Sequence, residues 1–160
     1  MKQTSNILLP KILGYLGLLP FVLPTFFLFY DYHHLDMWRH FLITYAAIIL
    51  SFVGALHWSF AMLLHDLPQN KQKWSFIWSV IPSIVAWIAL WIALSIPQFY
   101  SFFLLAAFFI LNLIKDKALS KIVELPNWYI SLRHNLTFVA ASCLLVSGLL
   151  FSAGKVMFSI

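Results

Sequence analysis

His57 is the one ionisable side chain set well inside a long apolar stretch of this chain. It stands about 10 Å, at 1.5 Å rise per residue, from the nearer end of its helix. An ionisable group at such depth costs free energy and is expected to act on a ligand or a proton. The structural alternative is a neutral imidazole donating to a serine or to a carbonyl freed by a kink, which is cheaper to bury than a carboxylate. Trp58 follows it and offers a stacking surface. Ser79 and Arg133 fall at compatible depths, with Arg133 at the mouth, so these four are the expected lining of a partly apolar pocket for an anionic or aromatic ligand. Tyr15, Trp74, Trp78 and Asn112 share that depth, although Trp74, Trp78 and Trp128 also suit an interfacial aromatic belt.

A second concentration is Asp31, His33, His34, Asp36 and His40, crowded into one loop. Imidazole and carboxylate together bind zinc, copper or iron, which makes His33, His34 and His40 weak metal candidates. An exposed loop lacks the outer shell that orients such ligands, so a solvated loop is the expectation and no metal is assigned. No acidic residue is read inside an apolar stretch, which leaves no carboxylate pair for acid–base work. There is no phosphate-binding glycine loop and no zinc-protease signature. An enzyme is therefore the least favoured class, and no catalytic residue is assigned. The single cysteine, Cys143, excludes an intramolecular disulfide.

The elements that must position these groups are helices in a bilayer. The chain of 160 residues is 62% hydrophobic and 9% charged, where a soluble domain carries about a quarter charged residues. Crossing the hydrocarbon core takes about 20 apolar residues. Spans are expected at about 12–30, 41–64, 74–95, 99–114 and 136–153, with residues 115–135 lying along the interface. The segment Lys117 to Leu125 reads as a short surface helix, and Pro126 as the start of the last helix. The first span reads as an uncleaved anchor rather than a signal peptide, since no small-x-small site follows it. The expected fold is a single all-α domain, a five-helix transmembrane bundle.

Eight of the ten Lys and Arg residues lie at one set of span ends: Lys2, Lys11, Lys71, Lys73, Lys115, Lys117, Lys121 and Arg133. Arg39 and Lys155 lie at the other. The positive-inside rule then puts the N-terminus inside and the C-terminus outside. This topology accounts for the net charge of +5, and no basic face with base-reading residues suggests nucleic acid.

Helices in lipid associate through small residues and polar contacts. In the second span Ala47, Ser51, Gly54, Trp58, Ala61 and His65 form one stripe, with His57 at its edge. Tyr45, Ile49, Phe52, Leu56, Phe60 and Leu63 lie opposite, toward lipid. Pro10, Gly14, Gly17 and Pro24 mark the packing face of the first span; Ser75, Ser79, Pro82, Ala86 and Ala93 that of the third; Arg133, Thr137, Ala141, Gly148 and Ser152 that of the fifth. The fourth shows no such stripe and is expected to be peripheral. Pro20, Pro24 and Pro82 are expected to kink their helices.

Three stretches resemble a family of small bacterial and mitochondrial inner-membrane proteins, that of transmembrane protein 69 or domain of unknown function 3429. They are Lys11-Ile-Leu-Gly-Tyr-Leu-Gly-Leu-Leu-Pro-Phe21, Tyr45-Ala-Ala-Ile-Ile-Leu-Ser-Phe-Val-Gly-Ala-Leu-His-Trp58 and Leu125-Pro-Asn-Trp-Tyr-Ile-Ser-Leu-Arg-His-Asn-Leu-Thr137. The resemblance implies five helices in an energy-transducing membrane and transfers no activity. Ser59 stands where that family is expected to carry glycine. Asn127-Trp-Tyr-Ile-Ser-Leu-Arg133 also resembles, locally, the Trp-Tyr-x-x-Leu loop of the tryptophan-rich sensory proteins, which keeps porphyrin among the candidate ligands.

The sequence thus supports an inner-membrane ligand-binding or transport protein with a cytoplasm-facing pocket around His57 and Trp58. The membrane is bacterial, or mitochondrial in the alternative. The competing reading is an accessory or assembly subunit of a larger membrane complex, such as a respiratory complex, or a homo-oligomer packing through the same small-residue stripes.

Overall fold

The computed structural model describes residues 7–63, 68–95, 97–122 and 125–157. Among them all regular structure is helical: α1 (Leu8–Leu16), α2 (Leu19–Tyr30), a 3-10 turn (Tyr32–His34), α3 (Leu35–Leu63), α4 (Gln69–Ser95), α5 (Phe99–Ser120) and α6 (Asn127–Met157). Lys2, His65 and the Lys155 side chain, used above for topology and packing, lie outside the described residues. Four segments are long and apolar enough to cross a membrane: Leu8–Tyr30 taken as one, Leu35–Leu63, Gln69–Leu94 and Trp128–Ala153. This is a multi-pass membrane protein.

α1 and α2 are two halves of one broken helix. Pro20 has no N–H to give to a carbonyl one turn earlier, and the chain turns at Gly17 and Leu18. The Tyr45 hydroxyl of α3 donates to the Gly17 carbonyl at 2.9 Å, which satisfies a backbone group that lipid could not. Pro24 is buried within α2, and Pro82 within α4.

α3 is the central helix and packs on α2, α4 and α5. Its small face meets α4 where the sequence places it: a Cβ on Gly54 would stand 2.7 Å from Pro82 Cγ. Ala47, Gly54, His57 and Ala61 are buried, Ser51 is half-buried, and its hydroxyl donates to the Ala47 carbonyl. The stripes Ser75, Ser79, Pro82, Ala86 and Ala93 on α4, and Arg133, Thr137, Ala141 and Gly148 on α6, also face inward.

Three expectations are corrected. Trp58 is 48% exposed and does not share the packing stripe. The contact between Gly54 and Pro82 leaves no room for an indole between α3 and α4. Trp58 turns outward, donates to Met62 Sδ at 3.1 Å and stands edge-on to Phe76. Tyr45, Ile49, Leu56 and Phe60, read as lipid-facing, are half-buried, because α3 has neighbours on more than one side.

The third correction is larger: α5, which holds the stretch expected as the fourth span, is not peripheral. α5 packs along α6 and also touches α4 and α3. Phe102, Leu105, Ala106 and Phe109 are in the core. The small residues that allow this approach are on the other helix, since Gly148 of α6 lies against Phe102 and Phe103. Nor does α5 end at Ile114. It continues to Ser120 in place of the separate surface helix, which carries Asp116 into the bundle.

Candidate functional site

The last two turns of α5 continue the inward stripe of the helix. Phe109, Asn112, Asp116 and Leu119 repeat at three- and four-residue spacing and are buried, while Lys115 and Lys117 on either side of Asp116 are exposed. Asn112 accepts from Trp78 Nε1 at 3.2 Å and donates to the Phe108 carbonyl at 3.0 Å. Lys115 Nζ lies 4.7 Å from the centre of the Trp78 ring, so its charge is held outside the bundle by a cation–π contact.

α6 presents Tyr129, Arg133 and Thr137, one turn apart on one face, to the same region. Arg133 Nε donates to Asp116 Oδ2 at 2.7 Å. From α3, His57 Nε2 stands 3.5 Å from the other carboxylate oxygen, Oδ1. Asp116 is 1% exposed, His57 3% and Arg133 7%. Phe60 closes one side, its ring 6.2 Å from His57 and 5.8 Å from Tyr129. Three helices therefore deliver an imidazole, a carboxylate, a guanidinium, a phenol and a hydroxyl to the end of the bundle that carries most of the lysines.

The cluster is poor in internal partners. Six buried atoms find no hydrogen bond among the described residues: His57 Nδ1 and Nε2, Asp116 Oδ1, Tyr129 OH, Arg133 Nη2 and Thr137 Oγ1. Each unsatisfied buried polar group costs about 1–3 kcal/mol, and native proteins carry few of them. Gathering six in one place is a large local cost, which a bound species with donors and acceptors would offset.

His57 and Arg133 thus meet through Asp116, which falls in the 115–135 stretch expected along the interface. The absence of a carboxylate inside the bundle is overturned by Asp116. Trp58 points away, and Ser79 is buried but already donates to the Phe76 carbonyl at 2.6 Å. Arg133 is locked to Asp116 rather than open at a mouth. An open cleft of about 430 Å³ lies instead along α1, lined by Leu8, Lys11, Ile12, Tyr15, Leu16 and Leu19, as a lipid-covered flank would be.

His33, His34 and His40 lie at the opposite end of the bundle. Among the described residues no three His, Cys, Asp or Glu side chains stand close enough to hold an ion. His34 Nδ1 lies 3.0 Å from Asp31, which also accepts from Trp38 Nε1 at 2.9 Å. His33 and His40 are exposed. Arg39 bonds Asp36 at 2.8 Å and Gln98, and lies 5.8 Å from the Phe151 ring.

In comparisons with known proteins, no curated protein and no solved structure matches the chain. The family described as "Protein of unknown function (DUF3429)" matches residues 8–149, nearly the whole chain, and the chain belongs to that family.

Proposed function

We propose that this is a ligand-binding or transport protein of the bacterial inner membrane, whose site is the buried cluster of His57, Asp116, Arg133, Tyr129 and Thr137. In this reading α5 is a fifth span, the N-terminus is cytoplasmic, and the cluster lies at the cytoplasmic end of the bundle. The carrying observation is the convergence of six unpartnered buried atoms from three helices around one carboxylate. A fold alone is served as well or better by apolar packing in place of a buried ion pair.

One observation favours the second reading, an accessory subunit. Trp87 and Trp91 are exposed on α4 and meet edge to face. Trp87 stands about 12 Å along the helix from Ser95, deeper than the interface where tryptophan settles in lipid. A helix of a partner complex could cover such a face.

Purification in mild detergent followed by native mass spectrometry separates the readings. The proposal expects a small molecule that stays with the wild-type chain and is lost from His57→Ala. Recovery with a larger complex, with no small molecule on either form, would favour the accessory subunit instead.

A further inference from the structure

Resting on the reading that this cluster is the site, we infer that its ligand includes a proton, taken up on His57 and held against the Asp116 carboxylate. The six unpartnered atoms are shut off from solvent by close packing. A proton, passed along polar side chains and a transient water, reaches such a site with less opening than any larger ligand needs.

The chemistry around the ring points the same way. His57 Nε2 faces the Asp116 carboxylate. The Gly54 carbonyl, one turn back on α3, is a backbone acceptor on the same side of the helix, and the ring makes no hydrogen bond to it as it stands. Both neighbours accept, and neither can donate. A neutral imidazole donates from one nitrogen and leaves the lone pair of the other without a partner; an imidazolium donates from both. With Nε2–H turned to Asp116, the proton adds to the Nδ1 lone pair and forms a second N–H bond on the ring. No electrons are exchanged, and release returns the proton to water at the lysine-rich end.

The charged and titratable groups around His57, among the described residues, are Asp116 and Lys115 from α5 and Arg133 and Tyr129 from α6. Burial opposes the imidazolium, Asp116 stabilises it, and Arg133 and Lys115 oppose it. The cluster is neutral with one proton fewer and carries a single positive charge with it. Arg133 Nη2, Thr137 and Tyr129 then remain as donors, which suits a small anion taken up together with the proton.

The test is solution or solid-state NMR of the intact, ¹⁵N-histidine-labelled protein in lipid nanodiscs, with His57 assigned through His57→Gln. The inference expects the ring nitrogens to pass from neutral to doubly protonated between about pH 8 and 5. Asp116→Asn should lower the midpoint by about one pH unit, a tenfold loss of proton affinity, and Arg133→Gln should raise it. A purely structural histidine would not move in opposite directions. A ring that stays neutral over the whole range overturns the inference even if neither variant folds, because the wild-type titration decides it. A midpoint indifferent to Asp116→Asn does the same. Titration with both shifts present but no small molecule retained on purification would leave the proton site standing and remove the ligand reading. A retained molecule on a pH-silent His57 would do the reverse.

Discussion

Asp116 of α5 and Arg133 of α6 form a buried ion pair, Oδ2 to Nε at 2.7 Å, with a side-chain exposure of 1% on the carboxylate. The pair is held where α5 packs along α6, and its free oxygen is turned to His57. Its energetics decide how the site should respond to mutation.

Removing one partner leaves the other charged and buried, which costs about 3–5 kcal/mol. Asp116→Ala and Arg133→Ala should each lower the melting temperature in detergent far more than His57→Ala, which removes no formal charge. Equal, small shifts for all three would show that the pair is solvated in the bilayer.

The contact between Gly54 and Pro82 is steric. Gly54→Leu forces α3 and α4 apart, an overpacking cost of about 1–3 kcal/mol, because even a Cβ would stand 2.7 Å from the proline ring. Phe52→Ala, on an exposed part of α3, should have little effect. Thermal melts of the two variants check this, and equal tolerance would contradict the packing.

At the opposite end, the Trp38 indole N–H and then His34 hold the Asp31 carboxyl below its ordinary value of 3.8. A depressed folded value means that the clip contributes fully above 3.8 and is lost as pH falls through the folded value. The Trp38 indole signal, assigned with Trp38→Phe, should therefore keep its hydrogen-bonded shift down to about pH 4 and change only below it. A change at higher pH would show that Asp31 does not hold the indole.

The topology prediction uses cysteine labelling in a Cys143→Ser background. Lys73→Cys should be silent to an impermeant thiol reagent added to intact cells, and Asp36→Cys should react. The opposite pattern would invert the bundle and place the cluster on the outer side, a direct contradiction of the eight-to-two distribution of positive charge.

The inward faces of α3, α4 and α6 were legible because small residues at helical spacing have one use in lipid, close approach of backbones. α5 was misread for the same reason. Its own face is built mainly on the bulky Phe102, Leu105 and Phe109, and the glycine that receives it, Gly148, belongs to α6. Asp116 was hidden by its neighbours, since Lys115-Asp116-Lys117 resembles the charged end of a span. Its register with Asn112 and Phe109 was the available signal. Trp58 went wrong on the opposite count. Its position in the stripe was correct by angle, but Gly54 and Pro82 fill the volume that an indole needs.

The central claim is that the cluster is kept for function and not for folding. Its most direct measurement is the phenotype of cells in which the chain is replaced by the triple variant His57→Leu, Asp116→Leu, Arg133→Met. Apolar replacement of a whole buried charged group is neutral or stabilising by about 1–4 kcal/mol, so the variant should accumulate in the membrane at wild-type levels and behave as a deletion. Full function from a normally folded triple variant would contradict the account.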